Sequence, residues 1–175
     1  SHFSYVDLNL LCAPLSPLLE LRYQLGLRSP INTLARCLNP ANAPLSLQSV
    51  FHPAYIILQQ GAAQLLDEPN LLIFKGEGGE IEMRPDAETR LQGLRQGEPF
   101  EQVWASSMPR HVATGVPDAQ HVRAVWREET TDDYGEQAVL QTMAVILWEL
   151  RKASEPADAQ MLARNLWAQR ERHKV

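Results

Sequence analysis

The sequence predicts an α/β fold, a mainly parallel sheet flanked by helices. Three observations carry this reading. Strand-like and helix-like segments alternate through the first half of the chain. Residues 71–74, Leu-Leu-Ile-Phe, form a short unbroken apolar run of the kind buried in a parallel sheet. The last third is periodic like helices, which would cover a face of that sheet.

The elements follow in order. Residues 3–8 are rich in aromatic and β-branched types and read as a buried strand. Ser16 before Pro17 has the form of an N-cap with proline at the first helical position. That helix runs through Leu18, Leu19, Leu21, Arg22 and Leu25 and stops at Gly26. Pro30 opens a second, short helix over residues 31–38, which ends before Pro40. Residues 45–51 alternate like a strand. His52 and Pro53 start a third helix, with Ala54, Ile57, Leu58, Ala62, Leu65 and Leu66 as its apolar positions. The segment 76–101 holds seven acidic and three basic residues, a net −4. It reads as loops with short strands at 80–83 and 100–105. Helices follow over 117–128, 133–152 and 156–172, with Pro156 dividing the last two. In the middle one, Val139, Met143, Ile146, Leu147 and Leu150 share a stripe. Trp104, Trp126, Trp148 and Trp167 fall mostly at core spacing and read as packing residues, as do Met143 and Met161, and not as a platform for stacked bases.

Composition narrows the class. The 175 residues, 45% apolar and 21% charged, support one core of real size. No run of 18 apolar residues occurs, so no membrane partner is expected. The start lacks the basic region of a signal peptide, and it lacks an initiator Met, which suggests a piece of something longer. Cys12 and Cys37 are too few for a disulfide framework and read as free core thiols in a reducing cytoplasm, with a single disulfide also open. A net charge of −5 argues against binding nucleic acid through bulk charge, but leaves room for a local basic face. No nucleophile elbow, zinc ligand set, P-loop or dinucleotide fingerprint is present.

Several residues have both a functional and a structural reading. Arg22, Arg28 and Asn32 lie close together, and the two arginines could hold a carboxylate or phosphate; equally, they could pair with Glu20 or cap helix ends. His52 could cap the third helix or face an anion at its N-terminus. Lys75 could join Arg22, Arg28 and Arg36 on a basic rim, or simply end a strand in solvent. Arg164, Arg170, Arg172 and Lys174 give residues 164–175 a net +3 against Glu171. They could touch phosphates, or favour the helix dipole at a fraying end. Glu77, Glu80 and Glu82 could be a remnant of a metal site or a solvated loop.

Residues 25–40 follow the pattern L-G-x-R-[ST]-x-x-N-x-L-x-x-x-x-N-P, and Val50-Phe51-His52-Pro53 comes after the next strand. This resembles anthranilate phosphoribosyltransferase and its relatives in glycosyltransferase family 3. The resemblance implies a phosphoribosyltransferase-type α/β domain of which residues 1–175 are the C-terminal part. Such enzymes transfer the phosphoribosyl group of phosphoribosyl diphosphate to an aromatic amine or base, with magnesium bridging the diphosphate. Arg22 matches the arginine that contacts the anthranilate carboxylate, and Glu82 the glutamate of an Asp-Glu magnesium pair. The aspartate is replaced by Ile81, unless Glu80 reaches the place by a shifted register; isoleucine offers magnesium no oxygen. The family's His-Gly is Lys75-Gly76 here, its His-Pro near the first helix has become Ala13-Pro14, and its Gly-Pro in the second helix region is Ala35-Arg36. The Gly-rich diphosphate loop, the Lys-His-Gly-Asn loop and the N-terminal helical domain that mediates homodimerisation do not occur in these residues. Arg28-Ser29-Pro30, Phe51-His52-Pro53 and residues 75–80, KGEGGE, resemble a bacterial side branch of the family. That branch implies binding to DNA or single-stranded nucleic acid without demonstrated transferase activity. An active magnesium-dependent transferase and a purely structural dimer are the competing expectations.

Overall fold

The computed structural model describes residues 6–27, 30–76, 79–111 and 118–174. Helices α1 (Leu8–Cys12), α2 (Leu15–Leu25) and α3 (Ile31–Leu34, continued by a 3-10 turn at Ala35–Cys37) lead into the sheet. Then come β1 (Ser46–Val50), α4 (Ala54–Leu65), β2 (Asn70–Lys75), β3 (Thr89–Arg95) and β4 (Glu98–Trp104). Helices α5 (Ala119–Trp126), α6 (Asp133–Glu149) and α7 (Pro156–Ala168) follow, with a closing 3-10 turn at Arg172–Lys174.

The strands form one sheet in the order β1-β2-β3-β4. The expected parallel pairing is found in the β1-α4-β2 unit, where Ser46 faces Leu71 and Val50 faces Lys75. The two ladders that extend the sheet, β2–β3 and β3–β4, are antiparallel. Arg95 faces Glu98, so Gln96-Gly97 is a two-residue hairpin turn; both residues have positive φ, which suits the twist of the flanking strands. β3 was not among the expected strands. Its exposed Arg90 and half-exposed Arg95 gave residues 89–95 a polar composition, while Leu91 and Leu94 point into the core.

Each face of the sheet has its own helical cover. Leu72, Phe74, Leu91 and Trp104 pack with Met83 against Leu140, Ala144 and Val145 of α6 and Ala159 and Ala163 of α7. On the other face Val50, Leu71, Ile73 and Leu94 meet Ile56 and Ala63 of α4. No residue of α1, α2, α3 or α5 is fully buried. Among the described residues, no helix is long and apolar enough to cross a membrane.

Several expectations need correction. Residues 3–5 of the expected first strand lie outside the described residues, and the rest is not extended: Asp7 caps α1 by accepting a hydrogen bond from the Asn9 amide at 2.8 Å. α2 starts at Leu15, so Pro17 falls in its first turn, where its missing N–H costs nothing; Gly26 ends the helix as expected, at φ 68°. Residues 80–83 form a tight turn and not a strand, with the Glu82 amide donating to the Glu80 carbonyl. α6 buries Ala138, Leu140, Gln141, Ala144 and Val145, and leaves Val139 exposed. Met161 is also exposed. α4 reverses its expectation outright: Ile56, Gln59 and Ala63 are buried, while Ile57, Leu58, Leu65 and Leu66 face water. Both cysteines are free but only half-buried, and burial pushes the Cys37 thiol pKa up.

Candidate functional site

Chain direction places the site. In open α/β units ligands gather beyond the carboxyl ends of parallel strands. Here those ends are Val50 and Lys75, opposite each other, and the Gly76 amide donates to the Val50 carbonyl at 3.2 Å. The chain then folds back across them. A Cβ on Gly76 would lie 1.7 Å from the Glu80 carbonyl oxygen, so only glycine permits this approach. Gly79 has φ 82°, and its carbonyl accepts hydrogen bonds from the Arg36 guanidinium and the Ser49 hydroxyl. One carbonyl thus ties the turn after α3, the end of β1 and the loop after β2 together. Lys75, Glu80, Ile81 and Glu82 are exposed around it.

The aromatic rings of Phe51, His52 and Tyr55 lie at the start of α4. Phe51 and His52 meet edge-on at 4.7 Å between centroids, and His52 and Tyr55 stand 6.5 Å apart. The side chain of His52 does not cap the helix; its backbone carbonyl receives the Tyr55 amide instead.

The structure therefore brings Arg36, Lys75, Glu80 and Glu82 to one edge, with His52 beside the end of β1. Arg22 is exposed on α2, its guanidinium 4.6 Å from the centre of the Tyr23 ring and hydrogen-bonded to the Tyr23 hydroxyl. Asn32 is half-buried on α3. Arg28 and Glu77 lie outside the described residues.

The basic C-terminal end is placed differently. The Arg170 side chain is 5% exposed, lies over the Trp167 ring at 3.9 Å and donates to the carbonyls of Val125, Trp126 and Trp167. It also pairs with Glu128 at 3.3 Å, as does Arg172 at 2.7 Å. Arg170 binds α7 to α5; it is a tertiary clamp. Arg164 is exposed, and the side chain of Lys174 is outside the described residues.

A second polar group had no signal in the sequence. Beyond the loop, Met83 donates its amide to Thr142 of α6 at 3.0 Å. Asp86, its side chain 1% exposed, pairs with Arg84 at 3.1 Å and accepts from the His111 amide at 3.1 Å. The His111 ring stacks on Tyr134 at 4.9 Å. Burial alone would raise the Asp86 pKa, but the His111 amide and the Arg84 guanidinium outweigh it and hold the carboxyl below the usual range. Tyr134 is pushed up, first by burial and then by the Asp86 charge, with Glu82 adding in the same direction. Next to this group, Asp132 caps α6 through the Gly135 amide at 2.8 Å and meets His121 at 3.1 Å; these contacts lower its pKa. Asp86 is one of seven acidic residues between 76 and 101, and no spacing sets it apart.

Glu80 and Glu82 are the described carboxylates at this edge, and a magnesium ion there would draw its remaining oxygens from a phosphate ligand and water. Ile81 stands between them in sequence, where the resemblance expects an aspartate, and among the described residues no three His, Cys, Asp or Glu side chains converge. A cleft of about 800 Å³ lies at the other end of β2, lined by Asn70, Arg95, Trp148, Lys152 and Asp158 among others. Its Arg95 is engaged: it pairs with Glu149 at 2.8 Å and lies over the rings of Phe100 and Trp148.

No family model matches the chain. It is 30% identical over 150 residues to an anthranilate phosphoribosyltransferase of Paraburkholderia phymatum, covering 82% of this chain and 44% of that protein. The Burkholderia mallei enzyme of the same name is 30% identical over 162 residues, covering 88% and 47%. An uncharacterized protein of Aquifex aeolicus is 31% identical over 125 residues, covering 71% and 38%. The chain thus spans less than half the length of these relatives, and over most of its own length it is related in sequence to anthranilate phosphoribosyltransferases.

Proposed function

We propose that this chain is part of an anthranilate phosphoribosyltransferase-like protein that binds nucleic acid through its phosphates and lacks efficient transferase activity. The observation that carries the reading is the composition of the carboxyl edge. Where the resemblance expects an aspartate beside a glutamate, exposed Ile81 offers magnesium no oxygen, which leaves Glu80 and Glu82 as the described carboxylates of this edge. Where a phosphate could approach, Lys75 ends β2 and Arg36 stands across the same edge. Arg22, exposed on the preceding helix, and half-buried Asn32 add polar groups to this reading; Arg28 lies outside the described residues. The C-terminal end contributes less, because Arg170 is committed to the fold.

The test uses duplex and single-stranded oligonucleotides titrated at two salt concentrations. Three phosphate contacts predict about a 40-fold loss of affinity between about 50 mM and 200 mM salt. The full-length protein, given phosphoribosyl diphosphate, magnesium and anthranilate, is expected to release no diphosphate. Absence of binding at low salt would remove the nucleic-acid reading. Diphosphate release would establish the second reading, a magnesium-dependent phosphoribosyltransferase, which the names of the relatives favour.

A further inference from the structure

The cleft at the far end of β2 contains an arginine that is built into the fold and still incompletely used. Arg95 ends β3. Its Nε and Nη2 donate to the two carboxylate oxygens of Glu149 at 3.1 and 2.8 Å, and Nη2 also donates to Gln102 at 3.2 Å. The guanidinium lies over the Phe100 ring at 3.9 Å and the Trp148 ring at 4.5 Å. The Glu149 side chain is 4% exposed, so this fork is fixed. The other amino group, Nη1, has two N–H donors and no partner among the described residues. With the Arg95 side chain still 35% exposed, Nη1 is what it offers to the cleft.

Two more cations line the same space. The turn after α6 carries Arg151 and Lys152, both exposed and without an ion pair among the described residues. Arg151 holds φ 55°, a conformation that glycine usually supplies at a helix end. The carboxylates of the cleft are Glu149, neutralised by Arg95, and Asp158 of α7, which accepts from the Ser154 hydroxyl at 3.4 Å. The cleft thus sets three cations against two carboxylates, in a chain of net −5. Half-buried Trp148, Ala153 and Leu162 give it an apolar wall.

We propose that this cleft binds a small phosphate monoester whose organic part carries hydroxyl groups, a ligand of nucleoside monophosphate size. The local excess of cations attracts an anion. A carboxylate is the poorer match, because the guanidinium edge that fits one is already taken by Glu149. Nη1 alone serves one oxygen of a tetrahedral phosphate and leaves its other oxygens to Arg151 and Lys152. The apolar wall takes the organic part, and Asp158 accepts from its hydroxyls; inorganic phosphate would leave both unused. The volume, about 800 Å³, is that of a small-ligand site. The cleft lies at the opposite end of β2 from Lys75, so the proposal stands apart from the nucleic-acid reading.

Calorimetric titration of the full-length protein with adenosine monophosphate, inorganic phosphate and adenosine tests this, with no magnesium or oligonucleotide present. The monophosphate is expected to bind about 10-fold more tightly than either phosphate or adenosine. Arg151→Glu and Lys152→Glu are each expected to weaken it about 10-fold. Both positions are exposed, so the urea midpoint of each variant should match the wild type. Lys75→Glu, at the carboxyl edge, is expected to leave the monophosphate affinity unchanged. No saturation by millimolar monophosphate, equal affinity for inorganic phosphate, unchanged affinity in both cleft variants, or a loss with Lys75→Glu would each overturn the proposal. Oligonucleotide affinity is measured separately on the same variants, so failure of the cleft and failure of the nucleic-acid reading are distinguishable.

Discussion

The two faces of the sheet are built from similar residues but finished differently. β2 supplies both: Leu72 and Phe74 to the face under α6 and α7, Leu71 and Ile73 to the face under α4. On the first face two helices, a loop residue and several partly buried aromatics close the core, and Trp104 donates to Gln141 of α6 at 2.6 Å. On the second, one helix lies across three strands, and Ile57, Leu58 and Leu65 on its far side are exposed. One face therefore states its own boundary by turning polar outward. The other turns no charge outward: the helix that covers it has only glutamines as polar residues, of which Gln64 is exposed.

The complete face should be the sensitive one. Phe74→Ala removes a ring that is 1% exposed from the larger cluster, and is expected to cost about 3–5 kcal/mol in urea unfolding. A loss under about 1 kcal/mol would mean this core is loose and the contrast between faces is unfounded. Arg170→Gln comes next. It removes a buried cation that satisfies three carbonyls and lies against two tryptophans, so a loss of about 2–3 kcal/mol is expected. Because the side chain is committed to the fold, the salt dependence of nucleic-acid binding should not change; a smaller salt slope would return Arg170 to the binding surface.

What was legible in the sequence follows from how local each signal is. Gly26, Pro30 and Pro156 marked helix boundaries because backbone restrictions act within a residue or two. β1 was legible from its alternation between Pro44 and Pro53, the existence of α4 from the apolar residues after Pro53, and β2 from its apolar run between Pro69 and Gly76. β3 was not, because its neighbours in space, β2 and β4, make its polar residues compatible with a central strand. The outward turn of α4 could not be read from periodicity, since a helix apolar on both sides gives no preferred face. At the site, Lys75, Glu80 and Glu82 were visible as a loop after a strand. The convergence of Arg36 and Ser49 on Gly79, and the burial of Asp86, depend on contacts between residues 25 to 43 positions apart.

Asp86 offers a pH test of the loop that joins the sheet to α6. Its pKa is lower folded than unfolded, so its contribution to stability is complete above about pH 4, its ordinary range, and is lost as pH falls through the folded value. Asp86→Asn is expected to cost about 1–3 kcal/mol at neutral pH and to flatten the acid limb of the stability profile below about pH 4. If the variant's acid limb ran parallel to that of the wild type, another carboxylate would be responsible. Asp132, also lowered through the Gly135 amide and His121, is the control, and its Asn variant should keep the cap while losing the charge.

The smallest effect falls on the open face. Leu65→Ser exchanges an exposed leucine for a polar residue one turn from nothing that holds it, so in dilute protein it should change unfolding free energy by under about 0.5 kcal/mol. A larger loss would show that Leu65 packs against the fold. The midpoint of thermal unfolding reads the same contrast: Leu65→Ser should leave it nearly unchanged, whereas Phe74→Ala, which empties a fully buried site under α6 and α7, should lower it by many degrees.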